Sequence, residues 1–275
     1  MILPRCRSLG IDGPGPALVL LPGMVGDADT FARQAPLGRL GPVFAVDLPV
    51  DPRMDRIPRI AAGVEALLPE GELVLLGVSL GALVARSLAR RLGPRVLGVV
   101  GVGALPHPRN VPARLRLMAP LLSVVPHGIA RRAWRTRVSR AMALECVPVA
   151  EQARLLRRLP PAPVGQARLD AVLHLAPDPG PIPAAWLRGQ LQRAAPWTVS
   201  AAAQAFPGAS VATIPGGHRA PWTHAGAFTA LAPAWSRALA RPPGCPRGRP
   251  PAAPPAPRRT PSVTTRTEVA GRGVM

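Results

Sequence analysis

The sequence contains one serine whose neighbours give it the setting of a nucleophile. Ser79 stands in the middle of Gly77 to Gly81 (GVSLG), a G-x-S-x-G pattern. The apolar run Leu73 to Leu76 precedes it, and a stretch with helical apolar spacing, residues 82–91, follows it. A strand that turns into a helix within one or two residues strains the backbone, and the glycines allow close approach. The five-residue pattern also arises by chance in a glycine-rich chain, but its flanking strand and helix favour a nucleophile turn.

A histidine near the end of the chain can serve that serine as a base. Serine is a poor nucleophile at neutral pH and needs a proton acceptor within hydrogen-bond reach. His218 follows a short predicted strand, Ser210 to Ile214, and a Pro-Gly-Gly turn. His224 begins the last predicted helix and is interpreted as a cap or surface group. The other histidines, all assigned to a helical segment, are His107, His127 and His174. Ser79 and His218 together predict acyl transfer through a covalent intermediate.

The elements that must position this pair alternate along the chain. No element is predicted before Ala17, where glycine and proline are frequent. The predicted strands are Ala17–Leu21, Val43–Leu48, Leu73–Gly77, Val96–Leu105, Ala184–Leu187 and Ser210–Ile214. The predicted helices are Ala28–Gln34, Ile57–Leu68, 82–91, Val199–Phe206 and 225–240, with Asp27 capping the first and Phe31 facing inward. Strands of continuous apolar residues alternating with helices indicate a parallel sheet covered on both faces.

A mostly helical insertion interrupts this alternation at about residues 106–183. It contains twelve arginines and four acidic residues, so it is strongly basic. A basic, amphipathic lid fits this composition, and two interpretations of it stay open. Either its apolar face packs on the core and its arginines are solvated, or the lid binds a lipid or an acyl chain.

The overall charge does not by itself point to a nucleic-acid partner. The formal net charge is +20 and every basic residue is arginine, but aromatic residues make up only 3% of the chain. A groove for single-stranded nucleic acid needs aromatic side chains among the basic ones. Beyond Arg241 the chain is rich in proline and arginine without periodicity, which predicts a disordered tail at 242–275 after a domain at 1–241. We therefore expect a solvated basic surface and no nucleic acid.

The cysteines and the hydropathy suggest a cytoplasmic protein without a disulfide framework or a metal site, and we expect no organic cofactor for a reaction carried by a serine. The three cysteines, Cys6, Cys146 and Cys245, are widely spaced and form no C-x-x-C pair. They indicate neither a disulfide framework nor a metal site. The start of the chain lacks the apolar segment of a secretory signal, and no stretch reaches the roughly 18 apolar residues of a membrane-spanning helix.

Four motifs together resemble the α/β-hydrolase fold family, of the serine esterase or acyl hydrolase type. They are LPGM (Leu21–Met24), VDLP (Val46–Pro49), GVSLG (Gly77–Gly81) and IPGGH (Ile214–His218), in the family's order and spacing. The resemblance runs from about residue 17 to 239. It implies an α/β fold, a mostly parallel central sheet with helices on both faces and a helical lid insertion. It also implies an oxyanion hole formed by the backbone N–H groups of Met24 and Leu80.

The resemblance implies an activity as well, with one departure from the family pattern. The expected reaction is hydrolysis of a carboxylic ester or thioester of a small molecule through an acyl-enzyme on Ser79. The family carries an acid that orients the histidine, but the matching stretch, Gly189 to Arg193, offers Gln192 instead. Asp178 precedes the strand and would lie at the opposite edge of the sheet. Replacing the acid by an amide costs about 10⁴ in kcat in serine proteases. The alternatives are an impaired, acyl-binding protein of this fold and an acyltransferase that uses the same serine.

Overall fold

The computed structural model describes residues 5–10, 13–103, 113, 116–117, 120, 124–145, 147–175, 184–189, 210–214 and 223–230. The strands in these ranges are β1 (Cys6–Gly10), β2 (Ala17–Leu21), β3 (Val43–Val46), β4 (Leu73–Val78), β5 (Val96–Val102), β6 (Ala184–Gly189) and β7 (Ser210–Ile214). The helices are α1 (Ile57–Glu65), α2 (Leu80–Leu92), α3 (His127–Leu144), α4 (Val149–Arg157) and α5 (Ala162–Leu173). A 3₁₀ helix, Ala28–Arg39, follows β2, and a short one, Gly93–Arg95, follows α2. Residues 225–230 are also helical.

The strands form one sheet in the order β1-β3-β2-β4-β5-β6-β7. β1 runs antiparallel to β3, and every other neighbouring pair is parallel. At the centre, β2 and β4 pair from Ala17 with Leu73 to Leu21 with Gly77. The carboxyl ends of these two strands therefore lie side by side. The predicted fold class, an α/β fold with a mostly parallel sheet, is confirmed.

Apolar side chains cover both faces of the central strands. Val19 and Leu75 pack on one face in a cluster that includes α1 and α2. Leu18 and Leu76 pack on the other face in a second cluster with Phe31. Burial on both faces explains why these strands read as unbroken apolar runs rather than as an alternation.

The observed elements differ from the predicted ones at the edges. β1 is not predicted from the sequence because Cys6, Arg7 and Ser8 are exposed and provide no apolar pattern. Its pairing with β3 is what makes this segment a strand. The helix after β2 continues as a 3₁₀ helix to Arg39, beyond the predicted end at Gln34, and contains Pro36.

The helices α3, α4 and α5 lie between β5 and β6, where the sequence predicts a lid. On α3, Val138 and Met142 are buried in a small cluster with Trp134 partly buried beside them. On α5, Ala171 and Val172 belong to the main core cluster. The arginines of α3, by contrast, are exposed: Arg131, Arg132, Arg135, Arg137 and Arg140. The lid helices therefore join the core through α5 and present a basic α3 to the solvent.

Some predictions fall on residues outside the described ranges. These are the helix Val199–Phe206, the tail 242–275 and the exact limits of the lid, so the division into a domain at 1–241 and a tail stays a prediction. In the ranges given above, no helix is long and apolar enough to span a membrane.

Candidate active site

The turn at Ser79 has the strained geometry that its glycine pattern predicts. Ser79 has φ 53° and ψ −115°, the one positive φ at a non-glycine residue among those described. Such a conformation costs about 1–3 kcal/mol and persists only where its surroundings hold it. The Ser79 N–H donates to the Val102 carbonyl at 2.8 Å, and the Ser79 carbonyl accepts from the Ala82 N–H at 3.0 Å. The side chain is half-buried at the carboxyl end of β4.

The glycines on either side of the serine allow three chain segments to meet. A Cβ atom on Gly77 would lie 2.2 Å from the Gly81 carbonyl carbon. A Cβ atom on Gly81 would lie 2.2 Å from the Leu21 carbonyl oxygen. Both distances are far below van der Waals contact, so neither position accepts a side chain without a backbone shift. The end of β2, the end of β4 and the start of α2 are packed together at these two glycines.

The loop after β2 runs directly beside the serine. A Cβ atom on Gly23 would lie 3.5 Å from the Ser79 Cβ. The loop is closed by a turn in which the Gly26 N–H donates to the Gly23 carbonyl at 3.1 Å. Met24 follows Gly23 and packs partly against the core. The structure therefore brings the loop at 22–24 and Ser79 together, as the sequence predicts.

Leu80 begins α2 immediately after the serine. The first N–H groups of a helix have no acceptor within the helix, so they are available to an anion at this end. Leu80 itself is buried, with 1% of its surface exposed. Leu80 and the loop that carries Met24 thus both lie next to Ser79.

Carboxylates hold the segment that follows the loop. Asp27 accepts a hydrogen bond from the Asp29 N–H at 3.1 Å and caps the 3₁₀ helix, as predicted. Asp47, at the end of β3, accepts from the Ala28 N–H at 2.8 Å. Burial raises the pKa of the Asp27 carboxyl, and Arg158 of the lid region, 3.0 Å away, opposes that shift. Asp29 is buried and paired with Arg7 and with Arg158.

Arg168 of α5 is a buried cation next to the same loop, with 4% of its surface exposed. Its Nη1 donates to the Met24 carbonyl at 2.7 Å. Its Nη2 donates to the carbonyls of Leu48 at 3.2 Å and Pro49 at 3.3 Å. Burial lowers the pKa of the guanidinium to about 10, which leaves it charged at neutral pH.

No sequence motif points to Arg168, although its position on the helix face distinguishes it from the other arginines of the insertion. In the sequence the arginines of the insertion are interpreted as solvated or lipid-binding. Arg168 stands four residues from Val164 and four from Val172, so all three share one face of α5. Both valines are buried. An arginine on an otherwise apolar helix face indicates a buried polar contact rather than a solvated charge.

The predicted base and its orienting group lie outside the described residues. His218 follows β7, and Gln192 follows β6. Both strands run parallel to β4, so the carboxyl ends of β6 and β7 lie at the edge of the sheet that carries Ser79. Of the other histidines, His224 lies with its Nδ1 2.9 Å from the Thr223 Oγ1, and its carbonyl accepts from the Phe228 N–H. His224 therefore lies at the start of this helix, where it is predicted to be a cap or a surface group, and its ring contacts the preceding residue.

A comparison of the sequence with family models decides the family. The model described as the alpha/beta hydrolase family matches residues 18–232. The chain belongs to the alpha/beta hydrolase family. The resemblance drawn from the four sequence motifs is thereby confirmed at the level of the family.

This alpha/beta hydrolase is also similar to individual known proteins. It is 42% identical over 95 residues to the biotin biosynthesis bifunctional protein BioHC of Cellvibrio japonicus (strain Ueda107), a match that spans 32% of this chain and only 19% of that protein. Its fold is similar to that of a thermophilic esterase from Thermogutta terrifontis, with 22% identity, a TM-score of 0.67 and coverage of 86% of this chain and 93% of that one. The type II thioesterase BorB from the borrelidin biosynthetic cluster gives 21% identity, a TM-score of 0.65 and coverage of 85% and 98%.

Two further features of this hydrolase bear on ligands. Within the described part of the chain, no group of three or more His, Cys, Asp or Glu residues is arranged to hold a metal ion. A cavity of about 550 Å³ lies on the outer side of α3, and its described lining is Ile129, Arg132, Ala133, Thr136, Arg137 and Arg140. This cavity is basic and does not include Ser79, Gly23 or Met24.

Proposed function

We propose that the protein is a serine hydrolase that cleaves a carboxylic ester or thioester through an acyl-enzyme on Ser79. The observation that carries the proposal is the positive φ of Ser79 at the strand-to-helix turn, with the backbone of Gly23 in contact range. A strained serine beside a glycine loop and a helix N-terminus has little structural use, because almost any other turn would cost less. Membership of a hydrolase family supports the same conclusion.

In the proposed reaction, the Ser79 hydroxyl oxygen attacks the carbonyl carbon of the substrate while His218 accepts the hydroxyl proton. The N–H groups of Met24 and Leu80 stabilise the negative oxygen of the tetrahedral intermediate. His218 then gives its proton to the departing alcohol or thiol, and the acyl group stays on Ser79. A water molecule, activated by His218, releases the acid and restores the serine.

The proposed base must reach back along the sheet. β7 lies three strands from β4, which is about 14 Å at a spacing of about 4.8 Å per strand. The residues after β7 therefore have to run toward β4 to bring His218 within a hydrogen bond of Ser79. Gln192 follows β6, between the two, and its amide oxygen can accept a hydrogen bond from the imidazole. An amide holds the ring but does not stabilise its positive charge, so we expect slow turnover.

For the substrate, we propose an ester or thioester with a medium or long acyl chain on an anionic carrier. The exposed arginines of α3 and the exposed side chains of Ile129 and Leu144 on the same helix support this choice. The names of the similar proteins, an esterase and a thioesterase, agree with an acyl compound of either kind.

The proposal is tested with a fluorophosphonate probe, which reacts with activated serines, and with hydrolysis of p-nitrophenyl esters. We expect the wild type to be labelled and the Ser79→Ala variant to be neither labelled nor active. Ser87→Ala, a half-buried serine on α2, is the matched control and should behave as wild type. Labelling that survives in Ser79→Ala, or folded wild type that is never labelled, contradicts the proposal.

The glutamine at position 192 supports a second candidate, a protein of this fold that binds an acyl compound and hardly turns it over. It predicts probe labelling without measurable hydrolysis in the wild type. Gln192→Asp should then raise hydrolysis toward that of an ordinary esterase. A wild type that hydrolyses esters readily, or a Gln192→Asp variant that gains nothing, counts against it. Transfer of the acyl group to an alcohol uses the same acyl-enzyme and would appear as ester formation when alcohol is added.

A further inference from the structure

Arg168 joins three parts of the molecule through its guanidinium group. The residue belongs to lid helix α5, and its hydrogen bonds reach Met24 in the loop after β2 and Leu48 and Pro49 after β3. All three acceptors are backbone carbonyls at the carboxyl edge of the sheet. The guanidinium therefore ties the lid to the two loops that follow neighbouring strands.

The bonding of Arg168 is unusual for a buried cation. Among the described residues it forms no ion pair, its Nε has no acceptor, and the carboxylate that acts on its charge is Asp47. A buried charge without a salt bridge is costly, and an apolar side chain of similar size would hold α5 on the core at less cost. What an apolar side chain cannot do is fix the direction of the Met24 carbonyl. The hydrogen bond from Arg168 therefore orients the Met24 carbonyl, which apolar packing would not do.

We propose that Arg168 is a positioning residue, which holds the Met24 backbone at a fixed place and orientation beside Ser79. This rests on the proposed function, in which the Met24 N–H receives the oxyanion. The Met24 N–H and carbonyl belong to successive peptide units joined at one Cα atom, so anchoring the carbonyl limits the rotation of the unit that carries the N–H. Arg168 itself touches no reacting atom.

The first test measures the loop directly and does not need enzyme activity. Hydrogen exchange of the backbone amides of residues 23–26 is followed in wild type and in Arg168→Met, with the Gly26 amide as reporter of the turn to Gly23. We expect exchange at this loop to rise at least about tenfold while β2 keeps its protection. Arg135→Met is the matched control, because Arg135 donates to the Leu156 carbonyl at 3.3 Å within the lid. Unchanged amide exchange at residues 23–26 in folded Arg168→Met overturns the proposal.

The second test separates positioning from a general structural role. A misplaced oxyanion donor lowers kcat, and a shift of about 1 Å can cost about 100-fold. We expect Arg168→Met to lose 10- to 100-fold in kcat with KM within about threefold, and Arg168→Lys to recover part of that loss. Arg158→Met removes a different tether of the lid and should leave kcat within about threefold.

Equal losses of kcat in Arg158→Met and Arg168→Met, or a change confined to KM, would mean that Arg168 merely anchors the lid. Where Arg168→Met does not fold, Arg168→Gln takes its place with the same expected direction. If the wild type is not labelled at Ser79, the proposed function fails, and the exchange result still decides whether Arg168 holds the loop.

Discussion

Gly81 is a position at the candidate site where a single added methyl group should destabilise the fold strongly. In Gly81→Ala the new Cβ would lie 2.2 Å from the Leu21 carbonyl oxygen and 2.5 Å from that of Pro22. An ordinary carbon–oxygen contact is about 3.3 Å, so the segments must separate by about 1 Å. Both neighbours are backbone atoms, and no change of rotamer relieves the clash. Overpacking of this kind costs about 3 kcal/mol, at the upper end of its usual range.

The effect is measured by urea or thermal unfolding of Gly81→Ala against a matched variant, Gly128→Ala. Gly128 is the second residue of α3, and a Cβ atom added there would meet no atom within 4 Å, so alanine should be neutral or stabilise by about 0.5–1 kcal/mol. For a chain of this size, a loss of about 3 kcal/mol corresponds to about 6–12 °C in Tm. If the free energies of unfolding of the two variants differ by less than about 0.5 kcal/mol, β2 and α2 are not in close contact at Gly81, and the reasoning is refuted.

Two further predictions concern the segment after the candidate oxyanion loop. Phe31→Ala removes a fully buried ring from the core beside the sheet and should lower the free energy of unfolding by about 3–5 kcal/mol, measured by denaturant titration; a loss below about 1 kcal/mol would contradict its burial. Asp27→Asn keeps a capping side chain but removes the titration of a carboxyl whose pKa is raised in the folded state. Because such a group contributes most stability below its unfolded pKa and loses it as the pH rises through the folded pKa, the stability of Asp27→Asn relative to wild type should increase as the pH rises above about 4, the ordinary pKa of an aspartate. Unfolding curves of both proteins across this pH range check the sign, and a difference that falls with pH would refute it.

The sequence predicts the central strands well because strands that are buried on both faces consist of apolar residues. β2, at the centre of the sheet, has the predicted limits Ala17–Leu21, and β7, at its edge, has the predicted limits Ser210–Ile214. Strands covered on both faces must be apolar throughout, and Pro22 directly follows β2. β1 carries no such pattern, because an exposed edge strand is defined by the backbone of its partner rather than by its own side chains.

The candidate site also has parts that the sequence predicts and a part that it does not. The turn at Ser79 could be predicted because the close approach of three segments requires glycine at fixed positions, Gly77 and Gly81. The place of Gly23 beside the serine follows from the parallel order of β2 and β4. Arg168 could not be placed by charge counting, since its role depends on which carbonyl groups of distant loops meet α5. In the sequence, the only sign of these tertiary contacts is one arginine on an otherwise apolar face of α5.

The level pairing of Leu21 with Gly77 has a consequence for how the chain tolerates insertions and deletions. Adding or removing one residue within β2 or β4 shifts the rest of that strand by about 3.3 Å relative to its neighbour. Every later side chain of the strand then points to the opposite face of the sheet. The glycine loop would then pass above or below the serine rather than beside it. Length variation should therefore be confined to the ends of these strands away from Ser79, before Ala17 and before Leu73, where a change leaves the pairing of Leu21 with Gly77 intact.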